Sequence, residues 1–196
     1  HAFSLYNRES NEFEGNSFLM NSKDLMAIQS IPSYFKYGID AVKIEGRMKS
    51  HHYLANTVSI YRQAIDAFDT STIDSFKARL SSASNRGFTE GFIHKNNAAN
   101  TTASDWDGYS KQVSYIGTIK TVDTHGQAIL QVKSAFNSSD KLMILSPDHR
   151  LVPLLTTELL TMDNTKIQKC NVNSLVKINA TDLIQPYSIL VKELTQ

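Results

Sequence analysis

The chain has 196 residues, 41% hydrophobic and 20% charged, a composition typical of folded globular proteins and long enough for one or two domains. Twenty Lys and Arg against 19 Asp and Glu leave a formal charge of +1, so no global field favours nucleic acid or an acidic membrane, and any basic site has to be local. The single cysteine, Cys170, excludes an internal disulfide and a cysteine-only metal site built from this chain alone.

No run of 18 apolar residues occurs, and the opening HAFSLYNRESNEFEGN lacks the basic-then-apolar order of a signal peptide, so a soluble cytoplasmic protein is the expectation. The lack of an initiating Met points to a processed chain or to a piece of a longer one.

The first part alternates short strands and helices. SFLMNS (17–22) reads as a strand, and SKDLMAIQSI follows as a helix capped by Ser22 and carrying Leu25, Met26 and Ile28. Pro32 interrupts it, and Gly38 stands as a C-cap. IDAVKIEG (39–46) then reads as a second buried strand. Ser50 caps a long helix whose stripe Leu54, Val58, Tyr61, Ile65 and Phe68 marks one buried face. TSTIDSFKARL adds a shorter helix, with Ser71 and Asp74 as a capping box and Ile73, Phe76 and Leu80 on one side. NRGFTEGF (85–92) is punctuated by two glycines. The polar stretch that follows has almost no apolar periodicity, which sets a linker at 96–110 between domains at 1–95 and 111–196.

Beyond Lys111, seven β-rich runs alternate with turn signals such as 123–126, 146–148 and 163–164. This spacing predicts a small antiparallel β-barrel or sandwich.

Two βα units imply a parallel sheet, yet two strands do not complete one. An eightfold βα barrel takes about 250 residues, so the first part reads as an incomplete α/β layer whose remaining sheet lies in an N-terminal region outside this chain.

In parallel α/β folds the loops after the strands build the active site, and KIEGRMKS (43–50) takes that position. Strand alternation puts Lys43 and Glu45 on one side, with Val42 and Ile44 toward the helices. Gly46 lets the backbone turn, while Arg47 and Lys49 stand on the rim as anion-binding donors. The plainer alternative is a solvated loop with a structural Lys-Glu pair. His51 and His52 are adjacent and share no helix face, so exposed polar histidines are expected rather than a metal pair. Tyr53, Tyr61 and Phe68 read as core, Arg86 with Glu90 as a functional pair or a turn held by an ion pair, and Cys170 as a small core residue.

Three blocks, FLMNSKDL (18–25), GIDAVKIEGRMKSHHYLANTVSIYRQAID (38–66) and RGFTEGF (86–92), resemble in order and spacing the C-terminal half of the collagenase-like peptidase family U32. The β-rich tail resembles that family's C-terminal barrel more distantly, with Ser139-Asp140 in place of the usual Gly-Asp. The resemblance implies the last βα units of a TIM-like barrel followed by a small β-barrel. It further implies one of two activities: collagenase-like proteolysis, or hydroxylation of uridine or cytidine in RNA, with prephenate as a small acidic cosubstrate in the tRNA branch. No Ser/His/Asp order, Cys/His pairing or HExxH stands here, which favours the RNA branch. In that reading Glu45 and Arg47 are the catalytic residues, and Lys43, Lys49 and Arg86 bind substrate, with tRNA or another RNA as the partner. The family's paired cysteines, which hold an iron-sulfur cluster in its RNA-modifying members, would fall before His1. This chain alone is therefore expected to bind no cofactor and to lack turnover, or to act by itself as a module that binds RNA or protein.

Overall fold

The computed structural model describes residues 2–18, 21–93, 101–103, 108–110, 112–154, 158–179 and 184–194. The chain opens with a hairpin, β1 (Phe3–Tyr6) and β2 (Phe13–Ser17), which the sequence reading left unassigned; Tyr6 and Phe13 pack edge to face across it. Leu19 and Met20, at the middle of the predicted 17–22 strand, lie outside the described residues.

The next segment departs from expectation. Asp24 and Leu25 are not helical: they form β3 (Asp24–Leu25), paired in parallel with β4 (Phe88–Thr89). A 3₁₀ turn at Ile28–Ser30 leads into α1 (Ile31–Lys36). Pro32 therefore starts a helix rather than breaking one, because the first turn needs no proline N–H. Gly38, at φ +68°, follows the helix end as predicted.

The second predicted strand does not form. Residues 40–46 join no ladder, and Ile39 and Val42 are 52% and 42% exposed. A buried parallel strand is made by its neighbours on both edges and by helices on both faces, and among the described residues none flanks this segment. The pairing of β3 with β4 is the parallel contact that these residues show, so the incomplete TIM-like barrel is not visible as a barrel.

Helix α2 (His51–Asp66) is capped as predicted, Ser50 Oγ accepting from Tyr53 N–H at 3.1 Å. Its buried face is rotated from the expected stripe: Val58 is 49% exposed, while Tyr53, Asn56, Thr57, Ile60 and Ala64 are buried. Polar residues occupy part of that face because they find partners there, Asn56 Nδ2 donating to Arg79 O at 2.7 Å. His52 is 5% exposed, which corrects the expectation for that histidine; His51 is exposed as expected. After Asp69, whose carboxylate accepts from Ser71 N–H and replaces the predicted capping box, a 3₁₀ turn runs into α3 (Ile73–Ser82). Phe76 and Leu80 join Met26, Ile28, Ile31, Ile60 and Ala64 in one core.

The second part is antiparallel as predicted. Its strands are β5 (Val113–Val122), β6 (Gln127–Val132), β7 (Phe136–Asn137), β8 (Leu142–Leu145), β9 (Leu151–Leu154), β10 (Leu159–Leu160), β11 (Lys166–Ile167), β12 (Lys169–Cys170), β13 (Leu175–Asn179) and β14 (Ile189–Glu193). Eight of them form one sheet in the order β11-β10-β13-β6-β5-β14-β8-β9, and β7 pairs with β12. Ala128, Leu130 and Val132 point inward from β6 while Gln127, Ile129 and Gln131 are half-buried on its other face. Leu154 of β9 and Leu159 of β10, near opposite ends of the sheet order, enter the same core, so the sheet rolls around it; Cys170, 1% exposed, lies in it too. Gly117 permits a close crossing, since a Cβ there would meet Gln131 O at 2.2 Å.

The two parts touch through α2. Ala55 packs beside Leu145, Ile189 and Val191, and the His51 ring meets Tyr115 edge to face at 5.9 Å.

Candidate functional site

All five residues singled out by sequence, Lys43, Glu45, Arg47, Lys49 and Arg86, line one cavity of about 670 Å³. The 43–49 loop forms one wall and the first turns of α2 another; β3 and Arg86 close the far side. Gly46 serves this geometry by compactness, because a Cβ on it would sit 2.0 Å from Leu54 Cδ2 of α2. Its φ is not positive, so the expected conformational role gives way to a packing one.

Within the cavity the five residues differ in what they are free to do. Lys43, Glu45 and Arg47 are exposed. Glu45 turns back on its own loop, its Oε1 accepting from Arg47 N–H at 2.9 Å. Lys49 is not a rim donor: its Nζ pairs with Asp24 Oδ2 at 2.8 Å, the two side chains being only 13% and 10% exposed. The same ammonium lies 4.8 Å from the Tyr53 ring centroid and 5.1 Å from that of Tyr109. The chain thus places a paired, caged cation where spacing alone predicted a free one. Arg86 is held by Asn21, whose Oδ1 accepts from Nη1 at 2.8 Å, and by the Tyr109 ring, 5.5 Å from Cζ.

Sequence reasoning missed Asp24, Asn21 and Tyr109. Asp24 reads as helical by sequence, whereas it begins β3 and pairs with the distant Phe88. Tyr109 belongs to the predicted linker, which is stitched to the first part by paired Asn85 and Ser110 backbone hydrogen bonds of 2.9 and 2.8 Å. Lys23 N–H donates to Thr101 O at 2.9 Å in the same region.

The cavity wall also carries Tyr34, Tyr53 and Tyr61 with Leu25, Ala27 and Ile44. Burial, with the Asp24 carboxylate second, pushes the Tyr53 phenol up to about 12. Burial likewise raises Tyr61, whose hydroxyl oxygen accepts from Ala27 N–H at 3.0 Å. Both rings therefore stay neutral as flat, weakly polar walls. Five cationic side chains, including Lys23, face two carboxylates, and both carboxylates are engaged within the site, so the arrangement suits an anionic ligand with a planar part.

Among the described residues no group of three or more His, Cys, Asp or Glu is placed to hold a metal ion. An iron-sulfur cluster needs several thiolates, and the one thiol here does not fit the need: Cys170 lies in the core of the antiparallel sheet, where burial pushes it up to about 11. Among those residues no helix is long and apolar enough to cross a membrane.

Comparison with known proteins gives matches in both parts. A family model described as Peptidase family U32 matches residues 1–103, and one described as Peptidase family U32 C-terminal domain matches residues 111–190. "tRNA hydroxylation protein P" of Escherichia coli (strain K12) is 34% identical over 148 residues, covering 69% of this chain and 31% of the relative. "tRNA hydroxylation protein P1" of Bacillus subtilis (strain 168) is 32% identical over 143 residues, covering 69% and 33%. "Collagenase" of Porphyromonas gingivalis is 24% identical over 178 residues, covering 87% and 49%. The chain spans about a third of the length of the first two relatives.

Proposed function

The chain belongs to peptidase family U32, and from that premise we propose that it is the C-terminal part of an RNA-modifying member that hydroxylates uridine in tRNA. The observation that carries this reading is the convergence of Lys43, Glu45, Arg47, Lys49 and Arg86 on one cavity with tyrosine walls. A nucleotide drawn out of its stack offers a flat base and a phosphate, the two features such a cavity suits. Two relatives named for tRNA hydroxylation support the choice of substrate.

In this reading Arg47 and Lys43 hold substrate anions at the open rim. Glu45 is the carboxylate at the reacting face, and the Lys49–Asp24 pair braces the loop from beneath. Prephenate is the small acidic cosubstrate, the reaction takes place in the cytoplasm, and the iron-sulfur cluster belongs to the portion of the longer polypeptide that these 196 residues do not span. That portion also completes the TIM-like barrel. The isolated chain then binds RNA without turning it over.

The test is Arg47→Ala in the complete protein, with hydroxyuridine in cellular tRNA measured by mass spectrometry. The modification is expected to fall at least tenfold. Unchanged hydroxyuridine would remove the role of Arg47, and unchanged tRNA nucleosides after deletion of the whole gene would remove the function.

The likeness to a collagenase over 178 residues favours peptide hydrolysis as the second reading. It predicts cleavage of denatured collagen by the purified complete protein, abolished by Glu45→Gln.

A further inference from the structure

Arg86 carries a donor that the protein itself does not satisfy. Nη1 is committed to Asn21 Oδ1 at 2.8 Å, and the backbone N–H reaches Asp24 Oδ2 at 3.3 Å. Nε is buried without a hydrogen-bond partner. A charged N–H that has lost water and gained no acceptor is unfavourable, and the fold retains it in the wall of the ~670 Å³ cavity. Lys49, whose ammonium meets the same Tyr109 ring, is already paired with Asp24 at 2.8 Å. Arg86 is thus the inner cation of the cavity with bonding capacity in reserve.

We propose that Arg86 is an oxyanion-recognition residue of this cavity, held in position by Asn21 and Tyr109. The proposal deepens the preceding reading and rests on it only for the identity of the ligand. Asn21 engages Nη1 on one edge of the guanidinium plane and Tyr109 lies against it, which leaves the Nε/Nη2 edge, with its unpartnered Nε–H, to meet a phosphate or carboxylate side-on. Tyr109 is 51% exposed, so the ring against the guanidinium stands at the open edge of the site. The outer cations Lys23, Lys43 and Arg47 attract the same anion to the mouth. Asn21 touches no ligand in this scheme and acts as a positioning residue.

The experiment is calorimetric titration of the purified complete protein at fixed ionic strength. The probes are inorganic phosphate, uridine 5′-monophosphate and succinate, with uridine as the uncharged control. At least one oxyanion probe is expected to bind, at least tenfold more weakly to Arg86→Gln. Asn21→Ala is expected to weaken it three- to tenfold, and Asn21→Gln, which keeps a neutral amide acceptor, to bind within threefold of wild type. Arg86→Lys keeps the charge and loses the planar fork, so it is expected to bind at least fivefold more weakly; it replaces Arg86→Gln if circular dichroism shows that variant unfolded. Equal affinities across wild type, the Arg86 variant and Asn21→Ala would overturn the proposal, as would no oxyanion binding to wild type. Phosphate bound in preference to succinate identifies a nucleotide phosphate as the source, and the reverse identifies a small carboxylic acid. Should this binding pattern appear while gene deletion leaves tRNA nucleosides unchanged, the oxyanion site stands and the tRNA reading falls. The opposite result removes the site and leaves the tRNA reading intact.

Discussion

Lowering the pH from 7 to 5 is expected to weaken the fold through His52. This imidazole lies in the first turn of α2 at 5% exposure, and burial pushes it from 6.5 down to about 4. A base depressed on folding costs nothing while it is neutral in both states. As the pH falls below 6.5 the unfolded chain takes up the proton first, so stability is lost progressively until the folded value near 4 is reached. The loss works out to about 2 kcal/mol at pH 5 and roughly 3 kcal/mol at pH 4. With a urea slope of about 2 kcal/mol per molar, the helix unfolding midpoint falls by about 1 M between pH 7 and pH 5. Carboxylates shifted downward act in a different window. Asp148, held at about 2 by hydrogen bonds from Arg150 and Ser146, contributes above its ordinary 3.8 and loses that contribution only below it. The assay is urea unfolding followed by helical circular dichroism at both pH values, for wild type and His52→Gln, whose amide stays uncharged. The variant should lose most of the pH dependence. An unchanged midpoint in wild type, or the same fall in the variant, would refute the reasoning.

Lys49→Met leaves the Asp24 carboxylate buried without its ion-pair partner and is expected to cost about 3–5 kcal/mol in urea unfolding. Adding Asp24→Asn should recover more than half of that loss, since the uncompensated charge is then gone. Gly117→Ala sets a methyl against the Gln131 carbonyl oxygen, which is backbone and cannot rotate away. It should destabilise the antiparallel sheet by at least about 2 kcal/mol, seen by scanning calorimetry as a lowered transition of the C-terminal part. Ser50→Ala removes the side-chain acceptor for Tyr53 N–H and should cost about 1 kcal/mol of helix stability by circular dichroism.

What the sequence made legible follows from the range of the forces involved. Helix α2 and its Ser50 cap were readable because capping and 3.6-residue periodicity act within one turn. Most strands of the second part were readable because alternation and turn residues repeat every few positions, and some find an antiparallel partner nearby in sequence, as β5 does with β6 and β8 with β9. Residues 39–46 carry the same apolar signal and form no strand, since a parallel strand depends on partners distant in sequence. Asp24 shows the opposite failure: a helix pattern of Leu25, Met26 and Ile28 was overridden by pairing with Phe88 and Thr89, more than sixty positions away.

The candidate site repeats the division between local and distant information. Lys43, Glu45, Arg47 and Lys49 lie within seven positions of one another, so their clustering follows from any compact loop and was readable without coordinates. What each can do was not, because it depends on residues brought from elsewhere. Asp24 takes Lys49 out of the set of free donors, while Asn21 and Tyr109 fix Arg86 yet leave its Nε unsatisfied. Those three residues fall in segments that the sequence reads as a strand (Asn21), a helix (Asp24) and a linker (Tyr109). The linker matters most. By pairing Ser110 with Asn85 it carries Tyr109 across the cavity edge, where the ring contacts both inner cations. One aromatic ring of the linker therefore joins it to both Lys49 and Arg86. Tyr109→Ala is the substitution that separates this connection from the charges themselves, because it leaves the Lys49–Asp24 and Arg86–Asn21 bonds available.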